Sequence, residues 1–203
     1  MTAVNQVICF LIVFIQLFFN NQVFGQKQEL IPLDNPVTME FLKKNLRKGS
    51  PRLVLNHETE KVLKGKLNSD PVIQNIYQAI KINAQEILDK PIINLDIPME
   101  QRTQDNQLDI SRDMLYRVNM LGMTYFLEKD KRFLERLNLE VISACNFPSW
   151  NPRHFLDVGE MSLAIALALD WTTGDLPGST VKLAKKTLIE KGLKPSWPEN
   201  GPQ

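Results

Sequence analysis

Apolar side chains recur at intervals of three and four from Val72 onward: Ile73, Ile76, Tyr77, Ile80, Ala84, Ile87 and Leu88 follow. This spacing predicts a helix with one buried face. Asp70 is placed to cap it, and Pro71 takes the first helical position, where a missing N–H costs nothing. Pro91 marks its end. A second periodic run starts near Ser111, with Met114, Leu115, Val118, Leu121, Gly122, Tyr125 and Phe126 on its inner side. The charged stretch EKDKR, 128–132, turns the chain, and Phe133, Leu134, Leu137, Val141 and Ile142 mark a partner helix. Two helices joined by so few residues form a hairpin. From Phe155 to Trp171 the pattern is apolar almost all round, which predicts a helix enclosed on most sides.

Other segments are less regular. The stretch 91–110, with two prolines and mixed polarity, is expected to be a long surface loop. TMEFLKKNLRKG, 38–49, reads as a short helix stopped by Gly49. SPRLVL, 50–55, reads as a brief extended segment, after which Asn56 caps a helix carrying Glu58 and Glu60 in its first turn. No segment alternates with period two, and no hairpin signal separates two apolar runs. The expected fold class is therefore all-α, made of successive helix pairs.

Composition adds limits. The 24 basic and 23 acidic residues give a formal net charge of +1, so no single-sign field exists to attract nucleic acid or an anionic membrane. Residues 1–25 carry no charged side chain and hold the apolar run VICFLIVFIQLFF. That run is too short to span a bilayer comfortably and fits the core of a signal peptide, with Val23 and Gly25 as the small residues before a cleavage point at Gln26; a hydrophobic anchor is the main alternative. The expected location is exported, periplasmic or secreted, with no membrane attachment after cleavage. Removal of Cys9 with that segment leaves Cys145 alone, which excludes an intrachain disulfide; a buried thiol is expected. Two histidines and one mature cysteine leave no basis for a structural zinc site, and no cofactor is expected. Phosphate-loop, HExxH, CxxC and GxSxG motifs are all missing.

The stretch FPSWNPRHFLDVGEM, 147–161, concentrates the chemistry. Asn151-Pro152 repeats the cap logic of Asp70-Pro71, which would put His154 in the first turn of the apolar helix. At about 100° per residue, His154, Asp157, Glu160, Ala164 and Ala168 share a sector roughly 120° wide. A polar and small-residue stripe on an enclosed helix suggests the wall of a cleft. Simpler roles stand beside this: Asp157 as a dipole partner, His154 bonded to a carbonyl, Glu160 paired with Arg112 or Arg153, and Trp150 as core.

SPRLVL, the helix ending in NSDP, the stretch LDISRDMLYRVNMLGMTYFLEKDKRFLERL and above all FPSWNPRHFLDVGEMSLAIALALDW resemble, in order and spacing, the N-terminal toroid of the heparinase II/III-like family. The likeness covers roughly 50–194. It implies an incomplete (α/α) toroid from 50 to 203, following the signal peptide at 1–25 and a lead-in at 26–49. It also implies a part in an enzyme that cleaves acidic, uronate-containing polysaccharides by β-elimination. In such lyases the base and acid belong mainly to Asn, His and Tyr residues in a segment expected beyond Gln203, so no catalytic residue is assigned here. This chain reads as a truncated portion that is inactive alone. The resemblance makes Trp150, Asn151, His154, Asp157 and Glu160 candidates for lining the sugar cleft. A noncatalytic glycan-binding helical domain is the alternative. A nonfunctional fragment with an exposed apolar edge is a third reading.

Overall fold

The computed structural model of the protein describes residues 37–95 and 104–196. The expected signal peptide with Cys9, the lead-in up to residue 36 and the last seven residues lie outside them. The described residues are all-helical, without a strand. Helix α1, Met39–Asn45, belongs to a unit that ends at Leu46. It opens on Thr38, whose side chain accepts from the Phe41 N–H, and it stops at Leu46, ahead of Gly49.

The larger unit begins at Arg47. Its helices are α2, His57–Leu67; α3, Pro71–Asp89; α4, Gln104–Glu128; α5, Lys131–Asn146; α6, Phe155–Trp171; and α7, Gly178–Thr187. A π-helical turn, Leu188–Leu193, continues α7. The caps act as their chemistry dictates. Asn56 accepts from Thr59 N–H at the head of α2, and Asp70 accepts from Val72 and Ile73 with Pro71 at the first position of α3. Losing such a cap costs about 1 kcal/mol.

The core lies between α4, α5 and α6, where Met114, Val118, Leu121, Phe133, Leu137, Val141, Ala164 and Ile165 are fully buried. Burial of each large side chain contributes about 1.5–3 kcal/mol. Only part of the periodic face of α3 joins them: Ala84 and Ile87 are buried, whereas Val72 and Ile76 are exposed near its N-terminal end.

From α3 on, each helix packs on its successor and on the next but one. Contacts between α4 and α6 keep a nearly constant offset. Ser111 meets Asp157, 46 residues on, and Tyr125 meets Asp175 just past α6, 50 residues on. These two helices therefore run parallel. Between α5 and α7 the offset is similar, with Asn138 meeting Thr180 42 residues on and Cys145 meeting Lys191 46 residues on. The α4–α5 hairpin and the pair α6–α7 are thus successive layers of one pattern. Gly122 lets the layers close, since a Cβ there would stand 3.1 Å from Cε3 of Trp171.

Several sequence expectations need correction. Helix α4 starts at Gln104, so 104–110 is helical; its first two turns hold few apolar residues and show no periodic signal. Residues 91–95 are irregular and mostly exposed, as expected of a surface loop, but the segment is anchored at Ile93. Ile93 is 4% exposed, and its N–H donates to Glu140 Oε2 at 2.8 Å. SPRLVL is a bend, with Ser50-Pro51 cis and Val54 at φ 62°, rather than an extended strand-like segment. It is clamped to the end of α6, where Asp170 Oδ2 accepts the N–H groups of Arg52 and Leu53 at 2.7 Å each. Trp171 Nε1 donates to Leu53 O. Finally, Asn151 is not the cap of α6. It sits at φ 52°, its carbonyl accepts the His154 N–H to make a turn, and the helix starts at Phe155 with His154 in the cap position.

Candidate functional site

The buried end of the site is Asp157, whose side chain is 1% exposed. A carboxylate so far from water needs donors on its lone pairs. The Ser111 hydroxyl of α4 is shared between Oδ1 at 3.3 Å and the Gln107 carbonyl at 3.1 Å, Asn151 gives its Nδ2 to Oδ2 at 3.4 Å, and His154 Nδ1 stands 2.7 Å from Oδ2. The left-handed backbone of Asn151 and the turn after it fold the two side chains back over the first turn of α6.

This geometry fixes the ring of His154. With Nδ1–H donated to Asp157, Nε2 of the neutral imidazole carries a lone pair, and the side chain is 25% exposed. No described residue bonds to Nε2. The pair therefore has one buried, committed nitrogen and one that can accept a proton or a hydrogen bond at the surface.

Beside it lies an open recess of about 640 Å³ bordered by His154, Phe155, Leu156, Gly159, Glu160 and Leu163. Phe155, Leu156 and Leu163 are about half exposed. This open stripe replaces the one expected from the sequence: Asp157, Ala164 and Ala168 face inward and are buried, because α4 covers that side of α6. Glu160 is half-buried and makes no ion pair with Arg112, Arg153 or any other described residue. Arg153 is exposed and likewise unpaired among the described residues.

Trp150 is 3% exposed, with Nε1 donating to Ala144 O at the end of α5. Its ring faces are covered, so the aromatic surface at this end belongs to Phe155. Of the five residues singled out by sequence, the structure joins Asn151, His154 and Asp157 by hydrogen bonds. It places Glu160 on the neighbouring recess and Trp150 in the core. Ser111 had no local signal, being 46 residues from its partner.

A second buried carboxylate was missed altogether. Glu140 is fully buried and accepts from Arg117 Nη1, from Arg136 Nε and Nη2, and from Ile93 N–H. The arginines also donate to the Pro91 and Leu88 carbonyls. The cluster latches 88–93 to α4 and α5.

Cys145 is buried, and burial raises its thiol pKa against the smaller opposing effects of Thr187 and Lys191. Lys191 donates to the carbonyls of Cys145 and Phe147, which closes the end of α5; burial lowers its pKa. No group of three or more His, Cys, Asp or Glu that could hold a metal ion is present among the described residues. No described helix is long and apolar enough to cross a membrane. No protein-family model and no curated protein matches the chain.

Proposed function

We propose that this chain is the helical portion of an exported uronate-polysaccharide lyase of the heparinase II/III-like kind, with the recess at the head of α6 bordering the glycan. The observation that carries the reading is the Asp157–His154 pair opening onto that recess. An imidazole held by a buried carboxylate is positioned for a sugar hydroxyl or for a proton in transit. Phe155 offers an aromatic face for a sugar ring, and Arg153 an exposed cation with no ion pair among the described residues for an acidic polymer. Layered parallel helix pairs, at offsets of 42 to 50 residues, support an incomplete (α/α) toroid.

β-Elimination removes the proton α to the uronate carboxylate and returns one to the departing glycosidic oxygen. The principal base and acid of such lyases match no residue of this sequence. His154 and Glu160 are accordingly read as cleft residues that orient the sugar, and binding is the property to test.

Calorimetric titration of the full chain with a uronate oligosaccharide is expected to show saturable binding, weakened about tenfold in His154→Ala by loss of a polar contact. Equal affinity in the wild type and in both His154→Ala and Glu160→Gln would refute the cleft assignment. Following the ultraviolet absorbance of an unsaturated uronate product in the same mixtures separates a lyase from a purely glycan-binding domain.

A further inference from the structure

At the opposite end of α6 lies a cleft of about 440 Å³ between the 50–53 bend, the close of α6 and α7. Leu53, Leu169, Val181 and Leu188 contribute apolar lining. Its polar side chains are two cations, Arg52 and Lys185, two hydroxyls that donate or accept, Ser50 and Thr173, and one carboxylate. Arg52 and Lys185 are exposed and form no ion pair with a described residue; Arg52 makes only a 3.4 Å bond from Nη1 to the Arg47 carbonyl. The Ser50 hydroxyl is also at the lining. The one carboxylate there, Asp170, is 5% exposed, and its Oδ2 is taken by two backbone N–H groups at 2.7 Å.

We infer that this cleft binds a small organic carboxylate with an apolar body, its head between Arg52 and Lys185 and its body on the leucine and valine lining. The volume falls within the ordinary range of ligand pockets, roughly 300–1,000 Å³. A guanidinium is the side chain best matched to a carboxylate, which it grips through two parallel N–H bonds. Lysine adds a point charge. A sugar is a poorer fit, because the apolar lining would leave its hydroxyls without partners. The cleft adjoins the C-terminal, negative end of the α6 dipole, which opposes an anion. Binding therefore depends on both cations together. This site is separate from the His154 recess and does not rest on the glycan reading.

The test is calorimetric titration of the full chain with monomeric octanoate, octylammonium and inorganic phosphate. Octanoate is expected to bind saturably and the other two not. The Arg52→Gln, Lys185→Gln double variant is expected to weaken octanoate binding at least about tenfold, as loss of charged hydrogen bonds does. Both side chains are exposed and the Arg52 backbone bond to Asp170 is kept, so the fold should persist. If the double variant fails to fold, Lys185→Gln alone must weaken octanoate by about threefold or more. Octylammonium binding as tightly as octanoate, phosphate matching it, or unchanged affinity in the variants would each overturn the proposal.

Discussion

Three carboxylates lie buried in the larger unit, Glu140, Asp157 and Asp170, and the two most deeply buried, Glu140 and Asp157, are satisfied in opposite ways. Glu140 is enclosed by a backbone N–H and two guanidiniums, which also donate to carbonyls of the 88–91 segment and, from Arg117, to Asp113. Charge meets charge inside the cluster. Asp157 is held by a hydroxyl, an amide and an imidazole. None of these needs to carry a positive charge, and the last has a nitrogen free at the surface. Equal burial thus gives a latch in one place and a connection to solvent in the other. A buried acid points to chemistry only when one of its partners can exchange a proton outside.

The sharpest way to break this comparison is to neutralise each acid in turn. Glu140→Gln leaves Arg136 without a carboxylate among the described residues and Arg117 with Asp113 alone, and is expected to cost about 3–5 kcal/mol, read from urea denaturation. Asp157→Asn removes no partner for a fixed charge and is expected to cost about 1–3 kcal/mol. An equal or larger loss at Asp157 would make it the more important structural acid and remove the contrast.

A smaller effect tests the α4–α6 contact at the far end of α6 from Asp157. Gly122→Ala puts a methyl group 3.1 Å from a Trp171 ring that is buried and anchored to the Leu53 carbonyl. The ring has little room to yield. Crowding should outweigh the gain in helix propensity and leave a net loss of about 1 kcal/mol in the same assay. A stabilised variant would show that α4 and α6 can separate without cost.

The smallest effect concerns a surface acid, which differs from both. Asp175 lies below the ordinary carboxylate pKa, first because Tyr125 donates to it at 2.6 Å and then through Lys129. Burial and this bond push the Tyr125 phenol up to about 12. A depressed acid stabilises the fold above its unfolded pKa, near 3.8, and that contribution disappears as pH falls through the lower native value. Because Asp175 is 45% exposed, the effect is screened and small. Tyr125→Phe should lower the melting temperature slightly at pH 7, with the gap from wild type closing toward pH 2. A gap that stays constant across that range would assign the loss to packing.

The sequence by itself determined the all-α class, the α3 bounds and the C-terminal end of α6, the caps at Asn56 and Asp70, and the α4–α5 hairpin. Each rests on interactions within a few residues along the chain, where side-chain type and spacing act directly. The same local pattern drew attention to His154 and Asp157, which lie one turn apart. It misjudged Asn151, because a left-handed turn and a cap share the same residue preference. Only the tertiary structure decided which side of α6 is open. Helical periodicity defines faces but not what covers them; α4, 46 residues away, covers Asp157 and leaves Phe155, Leu156 and Leu163 outside. The Glu140 latch was invisible for the same reason. Three ordinary charged residues on helical sequence become a buried cluster only when α4, α5 and the 88–93 segment meet, since burial is a property of the neighbours that packing brings together.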